Sequence, residues 1–427
     1  MFISNNLKNI TLIIPVMFFI FLASCRMNRE VTIEELSDHI KYLASDTLRG
    51  RETGSAGDSL AAIYIRNDLA SCGFVPLSGD GLQRFIFSAS KGVDSVGEII
   101  RETGKTRNVV MMLPGEDDTL KNEFVIIGAH FDHLGMGGKG TSSRRPDTLA
   151  VHHGADDNAS GVGMMLEIAE KFALTKGSHP RTIICVAFTG EEEGLLGSKY
   201  FTDNPGIDLS KVNAMINLDM MGRLQESNIV QVGGVGTSAE LKAIVTSLND
   251  TASVKLALSE AGFGPSDHSS FYMKNIPVLY FTTGGNPDLH TPSDTYDRIN
   301  YEGMGKVSSL IFAIAHQLVS SPRKLIFKEA GPKEAPAGGM RKNGVTLGIM
   351  PDFNGNVKNG LRADIVSPGK PAASGGMKNG DIITSINDET ISNIYDYMTK
   401  MGQMKAGQII TVEILRDGNK MTLLIQL

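Results

Sequence analysis

TIICVAFTGEEEGLLGSKYF, residues 182–201, is the stretch from which the fold can be read. Its first eight residues form an apolar, partly β-branched run that reads as a strand, and LLGSKYF (195–201) begins a helix. Three adjacent glutamates, Glu191, Glu192 and Glu193, stand between them. Adjacent carboxylates repel, so their concentration needs a cause. The ordinary one is a polar loop entering a helix, whose first turn favours negative charge. The other is a separate task for each side chain.

Strand-like runs alternate with helical patterns along most of the chain. TIEELSDHIKYLASD (32–46) and GSAGDSLAAIYIRNDLASCGF (54–74) read as helices, the second closing at Gly73. FVIIGA (124–129), VNAMINL (212–218) and IPVLYFTT (276–283) read as strands. ASGVGMMLEIAEKFA (159–173), SAELKAIVTSLN (238–249) and EGMGKVSSLIFAIAHQLV (302–319) read as helices. This alternation predicts an α/β domain with a largely parallel central sheet. The Pro-, Gly- and Lys-containing stretch 321–344 lacks periodicity and reads as a linker. Short strands separated by Gly, Asn and Asp turns follow it, with one helix at 391–404, giving a small β-rich module.

The whole chain has 427 residues, 41% of them hydrophobic and 21% charged, which suits two globular domains. Its net charge of −6 argues against nucleic-acid binding, which needs clustered Lys and Arg. At the start, Lys8 precedes the apolar run 10–23, too short for a membrane span of about 20 residues. This reads as a secretory signal. Its ending, LASC (22–25), resembles a bacterial lipobox, which implies cleavage after residue 24 and lipidation of Cys25. The expected location is therefore an exported protein, anchored to a bacterial membrane by lipid and facing the periplasm or the cell surface. An ordinary signal peptide with a chance cysteine is the alternative. The remaining cysteines, Cys72 and Cys185, make no disulfide framework.

Metal-capable residues recur where strands stop. FVIIGA runs into His130, Asp132 and His133, TIICVAFT into the three glutamates, and AMINL into Asp219. VLYFTT leads through a Gly-Asn-Pro loop to His290, and HHGADDNASG (152–161) opens a helix. In an open α/β sheet, ligands bind at the carboxyl ends of the strands. Each residue alone is weak evidence, but together they form a set of imidazoles and carboxylates suited to zinc. Two metals roughly 3.5–4 Å apart would use that many ligands.

The segments HIKYLASDTLRGRETGSAG, NVVMMLPG, GAHFDHLG, GADDNASG, FTGEEEGLLGS, NLDMMGR and HTPSDT closely resemble metallopeptidase family 28. The family comprises di-zinc aminopeptidases and their carboxypeptidase relatives, and the likeness spans about residues 32–320. It implies a three-layer α/β/α sandwich with a mixed, largely parallel central sheet. Two Zn²⁺ per chain are implied, His130 and Asp219 on one, Glu192 and His290 on the other, with Asp157 bridging. Asp132 would orient the His130 imidazole. Glu191 would be the general base for a hydroxide bridging the metals and attacking a peptide carbonyl. A cis peptide bond is implied at Asp157–Asn158. Some relatives place a tyrosine before the last histidine, but here the residue is Leu289, which leaves the oxyanion donor unassigned. Tyr280 reads as a core strand residue. Asp267 and His268, in SDHSSF (266–271), resemble a motif near the substrate pocket. His133, His152 and His153 flank ligand motifs and read as structural or solvated, with a pocket role as the alternative, and Asp156 reads as structural rather than as a ligand.

Residues 365–391, IVSPGKPAASGGMKNGDIITSINDETI, resemble a PDZ domain of bacterial proteases. The likeness implies that Leu347, Gly348, Ile349 and Met350 form the loop that receives a peptide's C-terminal carboxylate. A structural appendage that binds nothing is the alternative. The expected organisation is signal peptide 1–24, peptidase domain 25–322, linker 323–340 and PDZ domain 341–427. The expected partners are peptide substrates, peptide C-termini and, through the lipid, a membrane. An aminopeptidase is the favoured reading. A carboxypeptidase or dipeptidase on the same scaffold, a PDZ-mediated binding lipoprotein with a degenerate peptidase domain, and a one-zinc glutaminyl cyclase are its rivals.

Overall fold

The computed structural model describes residues 31–427 except 94–98, 140, 176, 178, 250–253, 334–344, 353–356 and 358. The signal peptide, Cys25 and residues 334–340 of the expected linker lie outside the described residues.

Two capped helices open the domain. Helix α1 (Ile33–Leu43) starts at Thr32, whose hydroxyl oxygen accepts from the Glu35 N–H at 3.1 Å and whose O–H donates to the Glu35 carboxylate at 2.6 Å. Helix α2 (Ala56–Ser71) starts at Ser55, which accepts from the Asp58 N–H, and the chain leaves it through Gly73 at φ +100°. Strands β1 (Val75–Pro76), β2 (Leu82–Val93), β3 (Ile99–Leu113) and β4 (Phe124–His130) follow. Then come α3 (Gly161–Leu174), β5 (Thr182–Phe188), α4 (Leu196–Asp203), β6 (Val212–Leu218) and β7 (Ile229–Gly233). The domain finishes with α5 (Leu241–Leu248), β8 (Lys255–Leu258), α6 (His268–Met273), β9 (Val278–Thr282) and α7 (Tyr301–Ser320).

These strands form one mixed nine-stranded sheet, ordered β1-β3-β5-β4-β6-β9-β7-β8 with β2 paired to β3. Its centre is parallel: β5, β4, β6 and β9 all run the same way. Alternate side chains of β5 enter opposite layers. Ile183, Cys185 and Ala187 join a core with α1, α2, α3 and α7, while Ile184, Val186 and Phe188 pack with Phe201 of α4 and Phe271 of α6. A strand covered on both faces must be apolar throughout, which is why TIICVAF shows no alternation. The three-layer α/β/α expectation therefore holds. Because the central strands are parallel, their carboxyl ends share one edge.

Residues 325–331, expected to begin a linker, are instead fastened to this domain. The Leu325 N–H donates to Asn213 Oδ1, Lys328 N–H to Thr237 O, and Tyr272 Oη to Gly331 O. The second domain has its own apolar core, built around Leu347, Ile383, Tyr397, Val412 and Ile414. It contains β10 (Ile349–Pro351), β11 (Leu361–Val366), α8 (Pro371–Ser374), β12 (Ile382–Ile386), β13 (Glu389–Thr390), α9 (Ile394–Met401), β14 (Ile409–Arg416) and β15 (Asn419–Gln426). Its antiparallel sheet runs β10-β11-β12-β14-β15, so β10 lies at an edge. No helix among the described residues is long and apolar enough to cross a membrane.

Candidate metal centre

The carboxyl edge of the sheet gathers the residues that the sequence placed at strand ends. His130 closes β4, Glu191 and Glu192 follow β5, and Asp219 follows β6. Asp157 precedes α3, and its peptide bond to Asn158 is cis, as the resemblance implies. His290 sits on the loop after β9 with φ +55°.

Asp157 is the centre of the arrangement. Its Oδ1 lies 3.3 Å from His130 Nε2, which is itself 3.4 Å from Asp219 Oδ1. Its Oδ2 lies 3.0 Å from His290 Nε2, which is 3.2 Å from Glu192 Oε1. One carboxylate thus faces two donor groups, one through each oxygen. Two overlapping buried clusters result, His130–Asp157–Asp219 and His133–Asp157–Glu192, with His290 beside the second.

The surroundings orient the imidazoles for ligation. His130 Nδ1–H donates to Asp132 O at 3.3 Å, and His290 Nδ1–H donates to Ser142 O at 3.1 Å. Each ring is thereby turned so that its Nε2 faces the carboxylates, where it donates a proton or, with a cation bound, would serve as the ligand atom. Asp219 Oδ1 is buried without a hydrogen bond, as are both carboxylate oxygens of Asp267. Burial opposes ionisation of Asp157, yet hydrogen bonds from His130 and His290 hold its carboxyl well below the usual range. Burial likewise opposes ionisation of Glu192, but His290 and the hydrogen bonds from His133 and His290 hold it at about 2. His290 shows the complementary effect, its desolvation outweighed by Glu192 and Asp157 so that it is held well above the usual imidazole range. Concentrated negative charge that draws protons onto histidines would equally favour divalent cations. The donor set and the orphaned Asp219 oxygen therefore fit a binuclear zinc site.

Several residues do more than the sequence suggested. The Asp132 carboxylate accepts from the Glu191 N–H at 3.1 Å, the Glu192 N–H at 3.4 Å and the Thr53 hydroxyl at 3.0 Å. It anchors the glutamate turn, while its main-chain oxygen orients His130. His133, expected to be structural, places Nδ1 at 2.8 Å from Glu192 Oε1. Tyr280 does not sit wholly in the apolar core: its ring stacks on His268 at 4.5 Å, and burial together with Asp219, Glu191 and Asp157 pushes its phenol well up. Asp267 and His268 are buried beside it. Desolvation pushes Asp267 up to about 7 and His268 down to about 3.

Other expectations resolve as scaffolding. Asp156 accepts from the Gly222 N–H at 2.7 Å and from Asn286 Nδ2 at 2.8 Å. His152 bonds Ser143 Oγ, and His153 meets Asp46. Glu193 is not a helix-start acid, because α4 begins at Leu196 and Glu193 lies in the turn closed by Gly194 N–H to Glu191 O. Two supports escaped the sequence reading although both lie in quoted segments. Asp294 accepts the main-chain N–H groups of Asp156 and Asp157 at 3.0 Å. Buried Arg51 donates to the carbonyls of Phe131, His153, Gly154 and Leu43.

Residues 108–315 match peptidase family M28, and residues 346–427 match the PDZ domain. The large domain, which carries the first match, is called the M28 domain for that similarity. It is similar to a probable leucine aminopeptidase of Trichophyton verrucosum, 29% identical over 229 residues, covering 51% of this chain and 57% of that protein. The chain thus spans little more than half the length of that relative. Among solved structures, the aminopeptidase from Aneurinibacillus sp. strain AM-1 aligns with the M28 domain at a TM-score of 0.55 and 17% identity, over 72% of this chain and 97% of that one. A Bacteroides thetaiotaomicron glutaminyl cyclase bound to N-acetylhistamine aligns at 0.51 and 17%, over 68% and 99%. The M28 domain's fold is therefore common to two chemistries, and the choice between them rests on the site.

Proposed function

We propose that this protein is a di-zinc aminopeptidase that removes N-terminal residues from peptides. The observation that carries the reading is Asp157, whose two oxygens face separate donor groups, His130 with Asp219 and His290 with Glu192. We assign those pairs to one metal each, with Asp157 shared. Bound there, the cations would polarise the scissile carbonyl and make water nucleophilic near neutral pH.

The chain's own residues supply proton handling and orientation. Burial, followed by repulsion from Glu192, Asp267 and Asp219, raises the Glu191 carboxyl well above its usual range, against the pull of His130. A carboxyl poised in this way can take a proton from the attacking water and deliver it to the leaving amine. Asp132 fixes the Glu191 main chain for that transfer. With Leu289 beside His290, we assign the substrate-carbonyl hydrogen bond to the Tyr280 hydroxyl.

In the same reading, the protein is exported and lipid-anchored at Cys25, and its PDZ loop 347–350 receives peptide C-termini. Paired assays on N-acetylated and C-amidated dipeptides, with zinc content measured on the same sample, test the catalytic part. Cleavage of the C-amidated peptide alone and two zinc ions per chain are expected. Cleavage of the N-acetylated peptide would indicate a carboxypeptidase, and one zinc per chain would favour cyclase chemistry. Mass spectrometry of the membrane-extracted N-terminus tests the anchor.

A further inference from the structure

The M28 and PDZ domains meet at the loop that carries His290. Met350 of β10 lies directly against Gly285: a Cβ on that glycine would fall 1.7 Å from Met350 Cε and 2.5 Å from Sδ. Beside this contact, Arg144 Nε donates to Ser367 Oγ at 3.3 Å. The same guanidinium donates to Pro287 O at 3.1 Å and Leu289 O at 3.4 Å, and the Arg144 main-chain N–H donates to His290 O at 2.9 Å. On the PDZ side, the Ser367 N–H donates to Gly348 O at 2.8 Å. A continuous series of bonds therefore links Gly348, in the loop assigned to peptide carboxylates, to a candidate metal ligand.

The charge at this junction is unbalanced. The Arg144 guanidinium is half-buried, its pKa lowered first by desolvation and then by Arg145, with Asp288 the acid that acts against them. Asp288 already bonds Arg223 at 3.0 Å and Arg298 at 3.2 Å. Among the described residues, no carboxylate pairs with Arg144. The stem of Lys370 packs over Gly348 and adds a second cation nearby. A half-buried guanidinium bound only to neutral oxygens has capacity for a carboxylate, its strongest partner.

We propose that Arg144 completes a site shared by the two domains, in which the 347–350 loop and this guanidinium take the α-carboxylate of a peptide, and that filling the site steadies His290. The peptide would add along the edge strand β10. The inference rests on the reading of the PDZ domain as a receptor for C-termini and of His290 as a zinc ligand. It makes the metal centre responsive to the end of a peptide that an aminopeptidase does not cut.

The test titrates full-length, zinc-loaded protein with N-acetyl-Ala-Ala-Ala-Val and with its C-terminal amide. Calorimetry reads binding, and transfer of zinc to a chromogenic chelator reads the His290 end. The free acid is expected to bind at least about tenfold more tightly than the amide and to slow zinc transfer at least about fivefold, the lower range of allosteric couplings. Arg144→Gln should weaken acid binding by about fivefold or more and abolish the slowing. Arg144→Lys keeps a cation for the carboxylate but lacks the guanidinium fork that holds the Pro287 and Leu289 carbonyls; it should bind the acid and lose the slowing, which keeps the test intact if Arg144→Gln fails to fold. Equal binding by Arg144→Gln, unchanged zinc transfer at saturating peptide, or no binding of the acid would each overturn the proposal. Release of leucine from leucine amide, followed in the same samples, separates the readings. Slowed zinc transfer without leucine release supports the coupling and removes the aminopeptidase, whereas leucine release without coupling does the reverse.

Discussion

Glu191, Glu192 and Glu193 are neighbours in the chain and occupy three environments. Glu192 lies between His133 and His290, Glu191 faces the same cluster with its carboxyl raised by burial, and Glu193 lies in the turn before α4. Replacing Glu191 with Gln should keep both zinc ions and lower kcat by about 10²–10⁴, the usual range for a general base; a zinc-replete variant with near-normal turnover would remove Glu191 from that role. Asp58 offers a separate test, on stability. It is fully buried, accepts from the Thr106 and Thr189 hydroxyls, and is pushed up to about 7, chiefly by desolvation. An acid whose pKa is raised on folding holds its proton more tightly when folded, so its contribution is complete at low pH and is lost as pH rises from about 4 to about 7. The loss is on the order of 2–4 kcal/mol. Urea midpoints at pH 5 and pH 8 should therefore differ less for Asp58→Asn than for the parent protein, and parallel pH dependences would refute the argument. His130, Glu192 and Asp219 were legible because each follows an apolar run, whereas Asp157 and His290 lie on loops and were placed by the resemblance. Tyr280 was not, since a phenol within VLYFTT cannot be told from a core residue without knowing what lies opposite.

At the level of elements, the site depends on how strand ends and loops are fastened. Arg51 joins the end of α1 through Leu43 O, the residue after β4 through Phe131 O, and the approach to Asp157 through His153 O and Gly154 O. Desolvation lowers its pKa to about 10, which leaves it charged at neutral pH. Arg51→Leu would strip these carbonyls of donors in a buried region. A loss of at least about 3 kcal/mol is expected by thermal or urea unfolding, with faster zinc release from the folded fraction. Wild-type stability in this variant would show that water replaces the guanidinium. Central strands and long helices were readable from period and length, to within a few residues. The β2–β3 hairpin was not, because β3 pairs antiparallel with β5 at the side of the sheet and its sequence lacks the unbroken apolar character of TIICVAF. The supporting roles of Arg51 and Asp294 were also hidden, since their partners are main-chain atoms more than 75 residues away in most cases.

For the whole molecule, metal and stability should be linked in one domain and not in the other. The M28 domain crowds Asp157, Asp219, Glu191 and Glu192 at one sheet edge, whereas the PDZ domain has a separate core. Chelation should lower the unfolding temperature of the M28 domain by roughly 5–10 °C, as expected for loss of about 3 kcal/mol of binding linkage. Scanning calorimetry with and without chelator checks this; a shift confined to the PDZ transition would contradict the assignment. The sequence by itself determined the α/β class, the location of the ligand candidates and the two-domain division, because these follow from local periodicity and from the rule that parallel strands present their carboxyl ends together. Tertiary structure decided which oxygen of Asp157 faces which histidine, that Asp132 holds the glutamate turn, and that Arg144 joins the PDZ loop to His290. Those relations depend on distances between residues remote in the chain, which packing sets and residue order does not encode locally.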